Sequence, residues 1–211
     1  RAPIISEIKL ASPTSGVIGK NLDIKRASEE MERGGAVGIS VLTEPRHFKG
    51  SLEILSEVRN TVKIPILMKD IVLSLQQIDA AYKAGADSIL LMKAIFDRKY
   101  CENSLTETIN YAHSSRLEVL LETHTENEFR SALLTDADVI GINNRDLRTL
   151  QVDLNTTRRV LERVHVVDKI VVSESGIRNP DDIKFLRECG ANAFLVGSSI
   201  MTAPNIEEAV R

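Results

Sequence analysis

Ile64-Pro65-Ile66-Leu67-Met68-Lys69-Asp70 is an apolar run that stops abruptly at a lysine and an aspartate. A short apolar stretch with a polar turn behind it reads as a strand buried on both faces, the kind found in parallel sheets. Its last residues should emerge at the carboxyl edge of that sheet, where open α/β sheets and α/β barrels hold their reactive groups. Taken alone, Lys69 is a solvated lysine at the head of a loop. Repetition of the pattern along the chain argues otherwise.

On either side of this stretch, apolar runs alternate with amphipathic ones. Towards the amino end, strands are expected over Ile4 to Lys9 and Val37 to Leu42, with helices from Ile24 to Arg33 and from Leu52 to Asn60. Ser12-Pro13-Thr14-Ser15-Gly16 closes the first strand, and Gly34-Gly35 stops the first helix. Towards the carboxyl end, a helix from Leu75 to Lys83 stops at Gly85, a usual helix-ending residue. A strand over Ser88 to Met92 is followed by a helical region from Arg98 to Ser114, and a strand over Glu118 to Glu122 by a helix from Glu126 to Leu134. A strand over Val139 to Asn143 precedes a helix from Thr156 to Val164. A strand over Ile170 to Ser173 precedes a helix from Pro180 to Cys189, with Asn179 as cap and Pro180 at the first helical position. The last strand, Ala193 to Val196, leads to a final short helix.

Eight β–α units in 211 residues fit an α/β fold of the (β/α)8 TIM-barrel class, one domain over residues 1–211. A doubly wound sheet normally needs fewer units and carries a dinucleotide fingerprint, and no Gly-x-Gly-x-x-Gly follows the first strand. A flavodoxin-like or two-domain α/β arrangement is the alternative.

Hydrophobic residues make up 43% of the chain but aromatics only 4%, so the core must be built from Ile, Leu, Val and Ala. A formal net charge of −3 leaves no basic stripe for a phosphate backbone. Nucleic acid is therefore not an expected partner, and an anionic ligand needs a local site. No apolar run approaches the roughly 18 residues of a membrane span, so no membrane partner is expected. Cys101 and Cys189 lie far apart without metal spacing and read as reduced structural thiols, which points to the cytoplasm. The chain opens at Arg1, almost directly in a strand, with no charged-then-apolar leader in view.

In a barrel the strand ends converge on one bowl. Side chains alternate across a strand, so Glu7 and Lys9 point the same way. Lys69, Glu122, Asn143 and Glu174 join them from other strand ends. So many charges in an apolar interior are costly unless each is paired, which argues for function, with a structural ion-pair network as the alternative. A second constellation is glycine-based: Glu174-Ser175-Gly176 and Gly197-Ser198-Ser199 follow the last two strands. Many barrels bind phosphate there through backbone N–H groups and a helix amino terminus, and glycine allows the backbone to come close. His47, His113, His124 and His165 share no spacing that puts two on one face, so they read as solvated or capping, and no metal is expected. Glu44 either lines the bowl or begins a loop. Lys93 invites a Schiff-base reading, but a loop lysine is the plainer one.

The strand ends, taken together and in order, resemble those of indole-3-glycerol phosphate synthases. The segments are Ile5-Ser6-Glu7-Ile8-Lys9 with Ser12-Pro13, Leu42-Thr43-Glu44 with Phe48-Lys49-Gly50-Ser51, Ile64 to Asp70, Gly141-Ile142-Asn143-Asn144-Arg145-Asp146-Leu147, Ser173-Glu174-Ser175-Gly176-Ile177, and Phe194-Leu195-Val196-Gly197-Ser198-Ser199. The resemblance implies closure of the indole ring in tryptophan biosynthesis: 1-(2-carboxyphenylamino)-1-deoxyribulose 5-phosphate becomes indole-3-glycerol phosphate with loss of carbon dioxide and water, without metal or organic cofactor. By resemblance Lys69 is the general acid at the sugar carbonyl and Glu122 the base. Lys9 would partner the substrate carboxylate, with Glu7 and Glu174 shaping the charge around the lysines. Asn143 would hydrogen-bond the reacting substrate and Arg145 steady the carboxylates. Ser12, Gly176, Gly197 and Ser198 would hold the phosphate, with Ser175 beside them, and Leu90 and Leu195 would line the slot for the aromatic ring. A small phosphorylated substrate and a monomer are the expected partner and state.

Two departures from the family pattern stand out. The helical extension usual before the first strand is absent from this sequence, which implies a more open bowl. Ile71 stands where an aromatic often packs on the substrate ring, which implies a smaller apolar contact. Other phosphate-binding barrels, such as a ribulose-phosphate epimerase or a phosphoribosyl isomerase, would lean on paired carboxylates or metal-bound histidines. The lysine ending the third strand distinguishes this chain from them. A catalytically silent barrel that binds a phosphorylated metabolite or a neighbouring pathway enzyme is the remaining alternative.

Overall fold

Each apolar run forms a strand whose side chains alternate between two apolar environments, and that alternation fixes the architecture. The computed structural model describes residues 1–12, 16–18 and 22–211, with the side chains of Ser12 and Val17 outside the description. The strands are β1 (Ile4–Ile8), β2 (Ala11–Ser12), β3 (Gly16–Val17), β4 (Gly38–Leu42), β5 (Ile66–Lys69), β6 (Ser88–Met92), β7 (Glu118–Thr123), β8 (Val139–Asn143), β9 (Ile170–Glu174) and β10 (Ala193–Val196). The helices are α1 (Ile24–Gly34), α2 (Leu52–Thr61), α3 (Leu75–Ala84), α4 (Lys93–Asp97), α5 (Leu105–Ser114), α6 (Glu126–Ala132), α7 (Asn155–Leu161), α8 (Pro180–Glu188), α9 (Ser198–Met201) and α10 (Ile206–Val210).

All strands except β2 and β3 close into a barrel in the order β1-β10-β9-β8-β7-β6-β5-β4, every neighbouring pair parallel. This is the single-domain (β/α)8 TIM barrel that the repeat predicts. Ile66, Met68, Ile89, Leu91, Val119, Leu121, Ile140 and Ile142 face outward and pack against helix residues such as Leu55, Ile78, Ile109 and Phe129. Leu67, Leu90, Leu120, Val172, Ala193 and Leu195 face inward and form a separate cluster with Ile5, Met92 and Val139. The residues two places beyond these inward ones therefore also point inward, at the carboxyl end.

Local chemistry explains where boundaries differ from expectation. The opening stretch yields a strand only from Ile66, because Pro65 has no N–H for the ladder; its carbonyl still accepts from Ile39 N–H at 2.9 Å. Asp70 leaves the strand because its carboxylate accepts from Ile71 N–H at 2.7 Å and Thr43 Oγ1–H at 2.6 Å. Of the helical region expected over Arg98 to Ser114 only Leu105–Ser114, α5, is helical, and a separate short helix, α4, stands before it at Lys93–Asp97. Ser104 and Glu107 form a capping box that starts α5 at Leu105, so the chain before it is free to turn. Lys93 is consequently not a loop lysine: it opens α4, is buried, and pairs through Nζ with Asp97 four residues on. The carboxyl end holds two short helices, α9 and α10, instead of one, and β2 pairs antiparallel with β3 where only a turn was expected. Among the described residues no helix is long and apolar enough to cross a membrane.

Candidate active site

Six inward or strand-end residues meet at the carboxyl mouth of the barrel. Lys69 Nζ, ending β5, donates to Glu174 Oε2 at 3.0 Å and pairs with Glu7 Oε2 at 3.2 Å. The other oxygen of Glu7, Oε1, takes Lys9 Nζ at 3.0 Å. Across the mouth, Asn143 Nδ2 donates to Glu122 Oε2 at 3.0 Å. Asn143 Oδ1 in turn accepts from Arg145 N–H at 3.0 Å, which fixes the orientation of its amide. Two of the three Lys69 N–H bonds are thus directed to carboxylates, and one is left for a ligand.

Two glycines make this packing possible. A Cβ at Gly141 would stand 2.2 Å from Glu174 Oε1, and one at Gly197 would stand 2.5 Å from Glu7 Oε1. Each carboxylate occupies the space of a missing side chain on a neighbouring or facing strand. Glu174 Oε1, seated over Gly141, is buried and accepts no hydrogen bond from the described residues.

The three glutamates are electrostatically unequal. Burial pushes against ionisation of Glu7, but Lys69 and Lys9 overcome it and hold the carboxyl at about 2. Burial raises Glu174 to about 7; Lys69 opposes the rise, and Glu122 and Glu7 add to it. Burial also resists ionisation of Glu122, yet His124, Lys69 and Asn143 bring it below the ordinary carboxylate range. Burial would neutralise Lys69, but Glu7, Glu174 and Glu122 shift it above the ordinary lysine range, so it carries its proton at neutral pH.

Around these groups lies a recess of about 240 Å³ walled by Glu7, Lys9, Lys69, Glu122, Asn143, Arg145 and Ser175, with apolar sides from Leu42, Phe48, Ile71, Leu90, Met92, Leu147 and Leu150. Leu42, Phe48, Met92, Leu147 and Leu150 carried no signal as wall residues in the sequence. Glu44 also reaches the wall, while its carboxylate accepts the backbone N–H groups of Arg46, His47 and Phe48, so the lining and loop-starting readings both hold.

Leu90 and Leu195 are both buried in the inward apolar cluster, and of the two Leu90 also walls the recess while Leu195 does not. Gly176, Gly197 and Ser198 sit at the adjacent ends of β9 and β10, where Ser199 Oγ donates to Ile177 O at 3.0 Å and ties the two loops together. Ser175 precedes Gly176 in a left-handed conformation, φ 68°, an uncommon one for a residue with a side chain. The Ser12 side chain lies outside the described residues.

His124 also departs from the solvated or capping role expected of it: its side chain is 7% exposed and stands 3.3 Å from Glu122 Oε1 and 3.6 Å from Glu128 Oε2. His47 and His165 are exposed, and His113 pairs with Asp138 at 2.9 Å. Among the described residues no group of three or more His, Cys, Asp or Glu is arranged to hold a metal ion.

Residues 1–211 match the protein-family model described as indole-3-glycerol phosphate synthase. A protein of that name from Sulfurisphaera tokodaii is 42% identical over 202 residues, covering 96% of this chain and 79% of its own length. Another from Methanocaldococcus jannaschii is 43% identical over 211 residues, covering 99% of this chain and 76% of its own. Among solved structures, an N-acetylmannosamine-6-phosphate 2-epimerase from Clostridium perfringens aligns over 94% of this chain and 86% of its own with a TM-score of 0.69. A thiamine phosphate pyrophosphorylase from Pyrococcus furiosus aligns over 99% and 91% with a TM-score of 0.70. At 15% and 18% identity these two likenesses speak to the fold alone.

Proposed function

The chain belongs to the indole-3-glycerol phosphate synthase family, and from that premise we propose which residues carry the ring closure: Lys69 as general acid and Glu122 as general base. The reaction forms a bond between the carboxylate-bearing ring carbon and the sugar carbonyl carbon, then loses carbon dioxide and water. The observation that carries the assignment is the pairing of Lys69 with Glu7 and Glu174 on one side of a recess whose other side presents Glu122.

Carbonyl protonation is the first demand, because the aromatic carbon is a weak nucleophile. An ammonium with one free N–H, aimed by two carboxylates, meets it by hydrogen-bonding the carbonyl oxygen as negative charge develops there. Ring closure then places the carboxylate on a tetrahedral carbon, and its departure as carbon dioxide returns electrons to the ring. Loss of the former carbonyl oxygen as water needs a proton delivered to it and one removed from the substrate. Lys69 supplies the delivery and Glu122, ionised at neutral pH, the removal.

Lys9 beside Glu7 suits the substrate carboxylate. Asn143 and Arg145 orient the reacting part, Leu90 supplies apolar wall for the ring, and Ile71 offers an aliphatic face in place of an aromatic one. Backbone N–H groups around Ser175, Gly176, Gly197 and Ser198, with Ser12, suit the phosphate. Because every step is proton transfer or bond rearrangement, the mechanism calls on no metal or organic cofactor. Two free thiols support a reducing compartment, the cytoplasm, and the reading is of a monomer acting on a small phosphorylated molecule.

The test is indole fluorescence developing from the anilino-ribulose phosphate substrate. Lys69→Ala and Glu122→Gln should each lower kcat by roughly 10²- to 10⁴-fold. Full activity in either variant would sink that residue's assignment.

A further inference from the structure

We propose that His124 is a positioning residue for the ring closure, an imidazolium clamped between Glu122 and Glu128 that aims the Glu122 carboxylate into the bowl. The inference rests on Glu122 being the base.

The geometry begins one residue earlier. Thr123 ends β7 and its Oγ1–H donates to Gly141 O at 2.7 Å, which pins the strand end. The next residue, His124, donates its own backbone N–H to Glu128 Oε2 at 2.8 Å. Glu128 is itself held, since its N–H donates to the α6 cap Thr125 at 3.2 Å. The same Oε2 stands 3.6 Å from His124 Nδ1, while Nε2 stands 3.3 Å from Glu122 Oε1. Glu122 is therefore flanked at both oxygens: Asn143 donates to Oε2, and the His124 ring stands beside Oε1. A continuous chain runs from helix α6 through Glu128, His124 and Glu122 to Asn143.

Among the described residues neither ring nitrogen, both buried, has an aligned hydrogen bond, an odd state for a histidine with only a structural role. Contacts around a catalytic base are commonly long before substrate binds and tighten afterwards. Flanked by two carboxylates, the ring can satisfy both only when both nitrogens carry protons. Burial disfavours that charged form, but Glu122 and Glu128 outweigh it and raise His124 to about 9. The other charges near the clamp are Lys69, acting on Glu122 across the bowl, and Lys93 at the head of α4, acting on Glu128. Arg98, Arg145 and Glu126 border the same outer recess.

His124→Gln should lower kcat by about tenfold to a hundredfold, the scale of one hydrogen bond to a charged group, with KM little changed. It should also move the acid limb of the kcat–pH profile upward, because Glu122 loses the cation that keeps it ionised. Glu128→Gln should move the alkaline limb downward, because the imidazolium loses one of its two counter-charges. A wild-type kcat and acid limb in folded His124→Gln would overturn the proposal. If thermal unfolding shows that variant does not fold, Glu128→Gln decides, and an unmoved alkaline limb overturns it. Inactive Glu122→Gln beside fully active His124→Gln would break this inference alone. Active Glu122→Gln would break the assignment of the base beneath it.

Discussion

Leu67, Leu90, Leu120, Val172 and Leu195 fill the middle of the barrel, and two residues further along the same five segments stand Lys69, Met92, Glu122, Glu174 and Gly197. The backbone is the same and the inward direction is the same. In the middle layer each side chain stabilises the fold independently, at about 25 cal/mol for every Å² removed from water. In the upper layer the charged residues cost several kcal/mol of desolvation each, and only complete pairing offsets it. One layer tolerates exchange among apolar residues of similar volume, while the other depends on every partner being present. The apolar layer that stabilises the barrel and the charged bowl are thus stacked one layer apart.

Changes in either layer test this division, and the largest stability effect should fall in the middle layer. Leu120→Ala, at 4% exposure, should cost about 2–5 kcal/mol in denaturant unfolding while leaving kcat within severalfold of wild type. A collapse of kcat with intact folding would mean the two layers are not separable.

Next comes acid sensitivity, which belongs to the upper layer alone. Glu7 falls from an ordinary value of 4.5 to about 2 in the folded chain, so its stabilisation is complete above pH 4.5 and is lost as pH falls through 2. Wild type should shed roughly 3 kcal/mol over that window through this group, and Glu7→Gln should not. Parallel acid profiles for the two proteins would show that the Lys69 and Lys9 pairs contribute nothing net.

The smallest change is one methyl between the layers. In Gly141→Ala the new Cβ would meet Glu174 Oε1 at 2.2 Å and Leu120 at 2.9 Å, so the carboxylate that pairs with Lys69 must shift. A loss of about 1–3 kcal/mol is expected together with a fall in kcat. An unchanged kcat would mean that the seat of Glu174 is not what aims Lys69.

Period-two alternation made Glu7, Lys9, Lys69, Glu122, Asn143 and Glu174 legible as one set, because the inward face of a strand is a local property of its sequence. Leu90 and Leu195 share the inward direction, but alternation does not say which of them walls the recess; that depends on how the strands close around it. Lys93 was misread because α4 is only five residues long, too short for a helical period to show. His124 gave no signal because its partners do not share a period with it. Glu122 lies two residues back on a strand and Glu128 four residues on in a helix, so only the β7–α6 turn brings both to one ring.

From the residues in order, then, follow the eight repeats, the apolar middle, and which charged residues face the bowl. These depend on spacing of a few residues and on burial, and both are written locally. Which carboxylate grips which cation is not written there. Lys69 and Glu174 are 105 residues apart, and it is barrel closure, with space left open by Gly141, that sets them 3.0 Å from each other.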